Sequence, residues 1–160
     1  MSESPIMIVT GGSRGIGSAI ARLAGERGYD VCVNYTASAD RAEAVAQDIR
    51  SHGQSAIAVQ ADVSKPDDIE RLFAETDEGL GKVDVLVNNA AISIEVAIAD
   101  VDVDIMRSQI DTNLLGPMLT TRQAIRRMGT SRGGKGGVIV NISSISALYG
   151  GLPTDVVYAG

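Results

Sequence analysis

Five short apolar runs punctuate this 160-residue chain, and their spacing leaves few architectures open to it. They are IMIVT (6–10), VCVNY (31–35), AIAVQAD (56–62), VDVLVNNA (83–90) and GVIVNIS (137–143). Each is brief and rich in Val and Ile, as a strand covered on both faces must be. Helical periodicity fills the intervals. Ile16, Ile20, Leu23 and Ala24 share one face, as do Ala42, Val45 and Ile49, and again Ile69, Leu72 and Phe73. Ser38 or Asp40 can cap the second helix; Ser64 is expected to cap the third, with Pro66 in its first turn. A helical stretch over 101–128 carries Gly116-Pro117, which predicts a kink, and GTSRGGKGG (129–137) reads as a loop. Strands alternating with helices wind into right-handed βαβ units. The expected fold is therefore α/β, an open, doubly wound parallel sheet in three layers, with one domain over residues 1–160. An α+β rearrangement is the alternative.

Composition narrows the function. With one Phe and no Trp, the core must be built from Val, Ile, Leu and Ala. A net charge of −6 argues against broad binding to nucleic acid or anionic membranes. Cys32 is the sole cysteine, so no internal disulfide can form and a cysteine-rich zinc site is excluded; no metal is expected. His52, the sole histidine, reads as a surface residue near a helix end rather than an acid–base catalyst. The N-terminal stretch lacks the pattern of a signal peptide, and no run reaches the ~18 apolar residues of a membrane span. The expected compartment is the cytoplasm.

TGGSRGIG (10–17) follows the first strand and opens the first helix. A helix start there presents unpaired N–H groups and partial positive charge to a phosphate. Gly11 permits the tight turn; Gly15 and Gly17 remove side chains where a pyrophosphate and the strand must come close. The spacing is neither G-x-G-x-x-G nor a Walker A loop, since no Lys-Ser or Lys-Thr follows.

The sequence resembles the short-chain dehydrogenase/reductase family in its single-domain form, and so a Rossmann-like sheet. TGGSRGIG is similar to the family's T-G-x-x-x-G-x-G cofactor motif. ADVS (61–64) resembles the segment whose aspartate, here Asp62 beside Val63, meets the adenine. NNAA (88–91) resembles N-N-A-G and includes Asn89, with Ala91 where glycine is usual. DTNLLG (111–116), VNISS (140–144) and YAG (158–160) follow in the family's order. The lysine of Y-x-x-x-K would fall two positions past Gly160, so the chain looks like the N-terminal two-thirds of a longer reductase with its C-terminal part missing. An end at Gly160 would leave the fifth run as an unpaired edge, and a chain of this length is expected to aggregate.

The resemblance implies the chemistry. Hydride transfer to a carbonyl needs a proton donor, and Tyr158 is the expected acid. A free tyrosine ionises near ~10, so a phenolate at neutral pH opposes about 4 kcal/mol, which the family offsets with its lysine. Without that lysine Tyr158 is expected to be a poor catalyst. Ser144 is the expected donor to the carbonyl oxygen, with Ser143 competing, and Asn113 would hold a water that relays protons. Ser13, Arg14, Gly15, Ile16 and Gly17 would line the phosphates.

Cofactor choice follows from charge. The second strand ends in VNYT, with no carboxylate for the ribose hydroxyls of NAD. Arg14 could reach a 2′-phosphate and Thr36 could add a hydroxyl, so NADP(H) is preferred over NAD(H). The leading reading is an NADP(H)-dependent oxidoreductase acting on a carbonyl or secondary alcohol, a sugar, an oxoacyl group or similar. It is expected to be a homodimer or homotetramer when full length, with the 101–128 helix in the interface. The alternatives are an inactive NADP-binding fragment and a sugar-nucleotide epimerase, whose loop would need glycine where Arg14 stands.

Overall fold

The computed structural model describes residues 4–159; Gly160, the last residue of the YAG motif, lies outside them. Five parallel strands form one sheet: β1 (Ile6–Val9), β2 (Asp30–Tyr35), β3 (Ala56–Gln60), β4 (Val85–Asn88) and β5 (Val138–Asn141). Their order is β3-β2-β1-β4-β5. The chain therefore reverses its direction of winding between β1 and β4, and a crevice opens there at the carboxyl ends of the strands. All five strands fall within the five apolar runs except for the first residue of β2, Asp30.

The helices are α1 (Gly15–Glu26), α2 (Ala39–Ser51), α3 (Pro66–Gly79), α4 (Val103–Ile110), α5 (Gly116–Met128), α6 (Ser146–Tyr149) and α7 (Val156–Ala159). One core cluster packs α1 and α2 on β1–β3 through Val31, Val33, Val45 and Ile49. The other lies on the opposite face, where α3 and α5 bring Ile69, Leu72, Phe73 and Ala124 against Ile8 and Leu86. The three expected layers are thus present.

Three local expectations need correction. Ile16 and Leu23 of α1 are exposed; the buried stripe is Gly17, Ala21, Ala24 and Gly25. The reason is proximity, because a Cβ on Gly25 would stand 2.7 Å from Ile49 on α2. Ser64 does not cap α3: Lys65 is the N-cap, Pro66 opens the helix, and the Ser64 hydroxyl donates to Asp62 instead. The 101–128 stretch is broken by a π-helical turn at Asp111–Leu115, just before the Gly-Pro pair. Gly116 is required there by contact, since a Cβ would lie 2.7 Å from the Val63 carbonyl oxygen. The 129–137 loop contains one 3₁₀ turn, Thr130–Arg132. His52 is exposed at the C-cap of α2, with Nδ1 2.8 Å from the Asp48 carbonyl oxygen.

Candidate active site

The loop between β1 and α1 is held from three sides. Thr10 donates its hydroxyl hydrogen to the Val87 carbonyl (3.3 Å) and accepts from the Asn89 and Ala90 amides (2.9 and 3.0 Å). The Asn89 side chain donates to the carbonyls of Thr10 (2.9 Å) and Gly11 (3.3 Å). Asn34, buried at the end of β2, accepts from the Gly11 amide (3.2 Å) and donates to the Ala61 carbonyl (2.9 Å). One asparagine thus ties together the ends of three strands. Thr10 and Asn34 are working parts that the sequence reading missed; a buried polar pair at neighbouring strand ends was the available signal.

Gly11 (φ 62°) and Gly15 (φ 55°) occupy the left-handed region that favours glycine. Gly17 is fixed by space: a Cβ would meet the Gly11 carbonyl oxygen at 2.4 Å and Asn89 Nδ2 at 2.5 Å. The first helical bond runs from the Ser18 amide to the Arg14 carbonyl (3.2 Å), so the amides of Gly15, Ile16 and Gly17 precede the ladder. No side chain caps this end, and its first turn carries no acid. The Arg14 side chain is exposed and makes no hydrogen bond or ion pair among the described residues; Ser13 is half-buried beside it, and Ile16 is exposed. Bare glycine backbone, unpaired helix-start amides and a free guanidinium suit a dinucleotide's phosphates.

Thr36 is exposed just past β2, its carbonyl accepting from Gln60 Nε2 (2.9 Å). Asp62 follows β3. Its Oδ1 accepts from the Ser64 amide (3.0 Å) and hydroxyl (2.7 Å), and its own amide donates to Asp68 Oδ2 (2.8 Å). That amide and the neighbouring Arg71 hold the Asp68 carboxyl below its usual value. Val63 is buried beneath.

A cavity of about 490 Å³ adjoins this cradle between β4, β5, the π turn and α7. Ala90 joins the two, lining the cavity while lying against Gly11. Asn113, Ser144 and Tyr158, far apart in sequence, all line it, as does Ser143. Tyr149 is exposed and is not part of its wall. Ser144 Oγ accepts from the Ser146 amide (3.2 Å), which leaves its hydrogen free to point elsewhere. Asn113 is pinned at both ends of its side chain: Oδ1 accepts from the Ile92 amide (2.9 Å) and Nδ2 donates to the Ile92 carbonyl (2.8 Å). Beneath, Asn88 bridges β4 to Asn141 (2.9 Å) and to Thr120 (2.7 Å).

A larger hollow of about 800 Å³ opens at the opposite, amino end of the strands, walled by Lys82, Asp84, Arg127 and residues 133–136. Open parallel sheets bind ligands at their carboxyl ends, and the cradle and the three candidate side chains lie there. Among the described residues no cluster of three His, Cys, Asp or Glu side chains is placed to hold a metal ion, and no helix is long and apolar enough to cross a membrane.

Comparison with known proteins agrees with this geometry. The family model described as short chain dehydrogenase matches residues 5–160, and the chain belongs to that family. It is 42% identical over 149 residues to an L-rhamnose 1-dehydrogenase (NAD(P)(+)) of Sphingomonas, covering 93% of this chain and 58% of that protein. It is 39% identical over 143 residues to a 3-oxoacyl-[acyl-carrier-protein] reductase of Staphylococcus epidermidis, covering 89% and 57%. A short-chain dehydrogenase from Burkholderia cenocepacia, solved in complex with NADP, superposes with a TM-score of 0.90 at 34% identity, covering 98% of this chain and 62% of that one. The chain thus spans about three-fifths of the length of the relatives it matches.

Proposed function

We propose that this chain belongs to an NADP(H)-dependent oxidoreductase that moves a hydride between the nicotinamide and a carbonyl or secondary alcohol. The observation that carries the reading is the meeting of Asn113, Ser144 and Tyr158 in one cavity beside the glycine cradle. The cradle would hold the dinucleotide through Gly11, Ser13, Gly15, Ile16 and Gly17. Asp62 and Val63 would face its adenine, and Asn89 would brace the loop beneath it. Bound there, the nicotinamide supplies or accepts the hydride. Ser144 donates its free hydrogen to the substrate oxygen, Tyr158 gives that oxygen its proton, and Asn113 holds the relay that reprotonates the tyrosine. Arg14 and Thr36 select the 2′-phosphate of NADP. The relatives suggest a sugar or an oxoacyl group as substrate. Exposed Leu115, at the end of the π turn, and Ile125 of α5 support self-association through that stretch. A cytoplasmic location fits the family.

The test uses the full-length protein, following NADPH oxidation against a panel of aldoses and 3-oxoacyl thioesters. Tyr158→Phe should lower kcat by roughly 10²–10⁴-fold and leave the Kd for NADPH unchanged. Arg14→Ala should weaken NADPH about 10–100-fold, as loss of a charge-assisted bond to phosphate predicts, and spare NADH. A wild-type protein that binds NADPH and turns over no carbonyl would sink the enzyme reading. Equal losses for both nucleotides would sink the cofactor preference alone.

A further inference from the structure

The segment that follows β4 walls the cavity, yet it has little core of its own. From Ala91 to Val96 no side chain is buried, and Ile94 is exposed. Its position rests on its backbone. The amides of three alternate residues are each held by a different acceptor. Ile92 donates to Asn113 Oδ1 (2.9 Å), Ile94 to Gln109 Oε1 (3.2 Å), and Val96 to the Thr154 carbonyl (2.6 Å). Gln109 and Asn113 lie four residues apart, so they stack on one helical face. Thr154 stands four residues before Tyr158, in the turn that leads into α7. The segment is therefore a strap between the helical stretch that carries Gln109 and Asn113 and the turn that leads into α7, which carries Tyr158.

Gln109 is the middle tie. It lines the same cavity and is almost fully buried, at 1% exposure. Among the described residues the Oε1 contact is the side chain's one hydrogen bond, and Nε2 has no partner. The amide's orientation follows, because the Ile94 N–H requires an acceptor opposite it. An apolar residue would avoid the unpartnered Nε2 but would leave the Ile94 amide without its acceptor, so the acceptor is what the position uses.

We propose that Gln109 is a positioning residue: by holding the Ile94 amide it sets the strap that aligns the Tyr158 turn with Asn113. This rests on the oxidoreductase reading for its catalytic consequence but not for its structural one. Gln109→Glu keeps an acceptor for Ile94, whereas Gln109→Leu removes it.

Two readouts on the full-length protein separate the possibilities. The first is amide hydrogen exchange, which needs no turnover. Gln109→Leu should speed exchange at Ile94 and Val96 at least tenfold and leave the β1–β3 amides unchanged; Gln109→Glu should stay near wild type. The second is kinetic. Gln109→Leu should lower kcat by about 10-fold or more, leave the Kd for NADPH unaltered and displace the alkaline limb of the pH–rate profile, which reports the acid Tyr158; Gln109→Glu should restore kcat. Unchanged exchange in Gln109→Leu overturns the proposal whatever the activity. So does a loss of kcat as deep in Gln109→Glu as in Gln109→Leu, which would instead make Nε2 a direct donor to the substrate. A wild-type protein without turnover, but with the expected exchange pattern, overturns the oxidoreductase reading and leaves the strap in place.

Discussion

The two sides of the crevice are built by different means. On the β1–β3 side, every residue of β1 is buried, β2 is buried over its four central residues, and α1 and α2 seal one face. The cradle there is made of backbone: glycines, amides, and two asparagines that tie strand ends together. On the β5 side, Val138 is 55% exposed and β5 has β4 as its one partner among the described residues. The helices α6 and α7 are four residues each and bury no side chain. The groups there that would do chemistry are side chains, held by a few local hydrogen bonds. Binding a common dinucleotide needs a rigid shape that packing can supply. Reacting with one substrate among many calls for side chains on loops, which can change without disturbing the core.

The sharpest way to break this comparison is with thiols. Burial pushes the Cys32 thiol on β2 up to about 12. At pH 8 it should label with iodoacetamide at least ~10³-fold more slowly than a free cysteine, whose ordinary value is near ~8.5. In a protein of residues 1–160, a Leu148→Cys thiol in α6, where Leu148 is 80% exposed, should label at the free rate. Slow labelling at 148 would mean that the β5 side is covered as closely as the β1 side.

A smaller effect separates space from conformation within the cradle. Gly17→Ala places a methyl against the Gly11 carbonyl and Asn89, so it should cost roughly 1–3 kcal/mol and weaken NADPH binding sharply. Gly15→Ala meets nothing within 4 Å but must hold φ near 55°, a cost of about 1 kcal/mol. Denaturant melts and nucleotide titration measure both. Equal costs would mean that the loop relaxes around Gly17 and that space is not what selects glycine there.

These same residues show what was legible beforehand. Gly11, Gly15 and Gly17 stood out because a strand–glycine–helix pattern is local, and local patterns survive in sequence. The strands were legible for the same reason, since burial on both faces writes continuous Val-Ile runs. The inward face of α1 was misread because Ile16 and Leu23 looked like core, while the helix approaches α2 through Gly25. Hydrophobicity marks burial, but close approach selects small residues, and their partner Ile49 lies 24 positions away. The kink expected at Gly116-Pro117 falls where the helix is irregular, but its form, a π turn ending at Gly116, was not legible, and neither was the Val63 carbonyl from another layer that excludes a side chain at Gly116. Asn34 and Gln109 were invisible as ties because each acts through backbone amides distant in sequence.

The smallest expected effect lies at the rim of the cradle. Asp68 reaches from α3 to accept the Asp62 amide, and Arg71 pairs with its other oxygen at 2.9 Å. The amide first and Arg71 second lower its carboxyl below the usual range. A carboxyl depressed in the folded state adds stability above its unfolded value near ~3.9, and that stability is lost as pH falls through the folded value. The site is solvent-screened, so Asp68→Ala should lower stability at pH 7 by less than ~1 kcal/mol. The gap to wild type should begin to narrow as pH falls below about 4 and close only once pH passes below the depressed folded value, where the wild-type carboxyl takes up its proton. Asp68→Asn keeps an oxygen for the Asp62 amide and should fall between the two. A gap that does not narrow at all as pH falls from 7 through the acid range would mean that Asp68 holds Asp62 by packing rather than by charge, as backbone contacts hold the glycine loop.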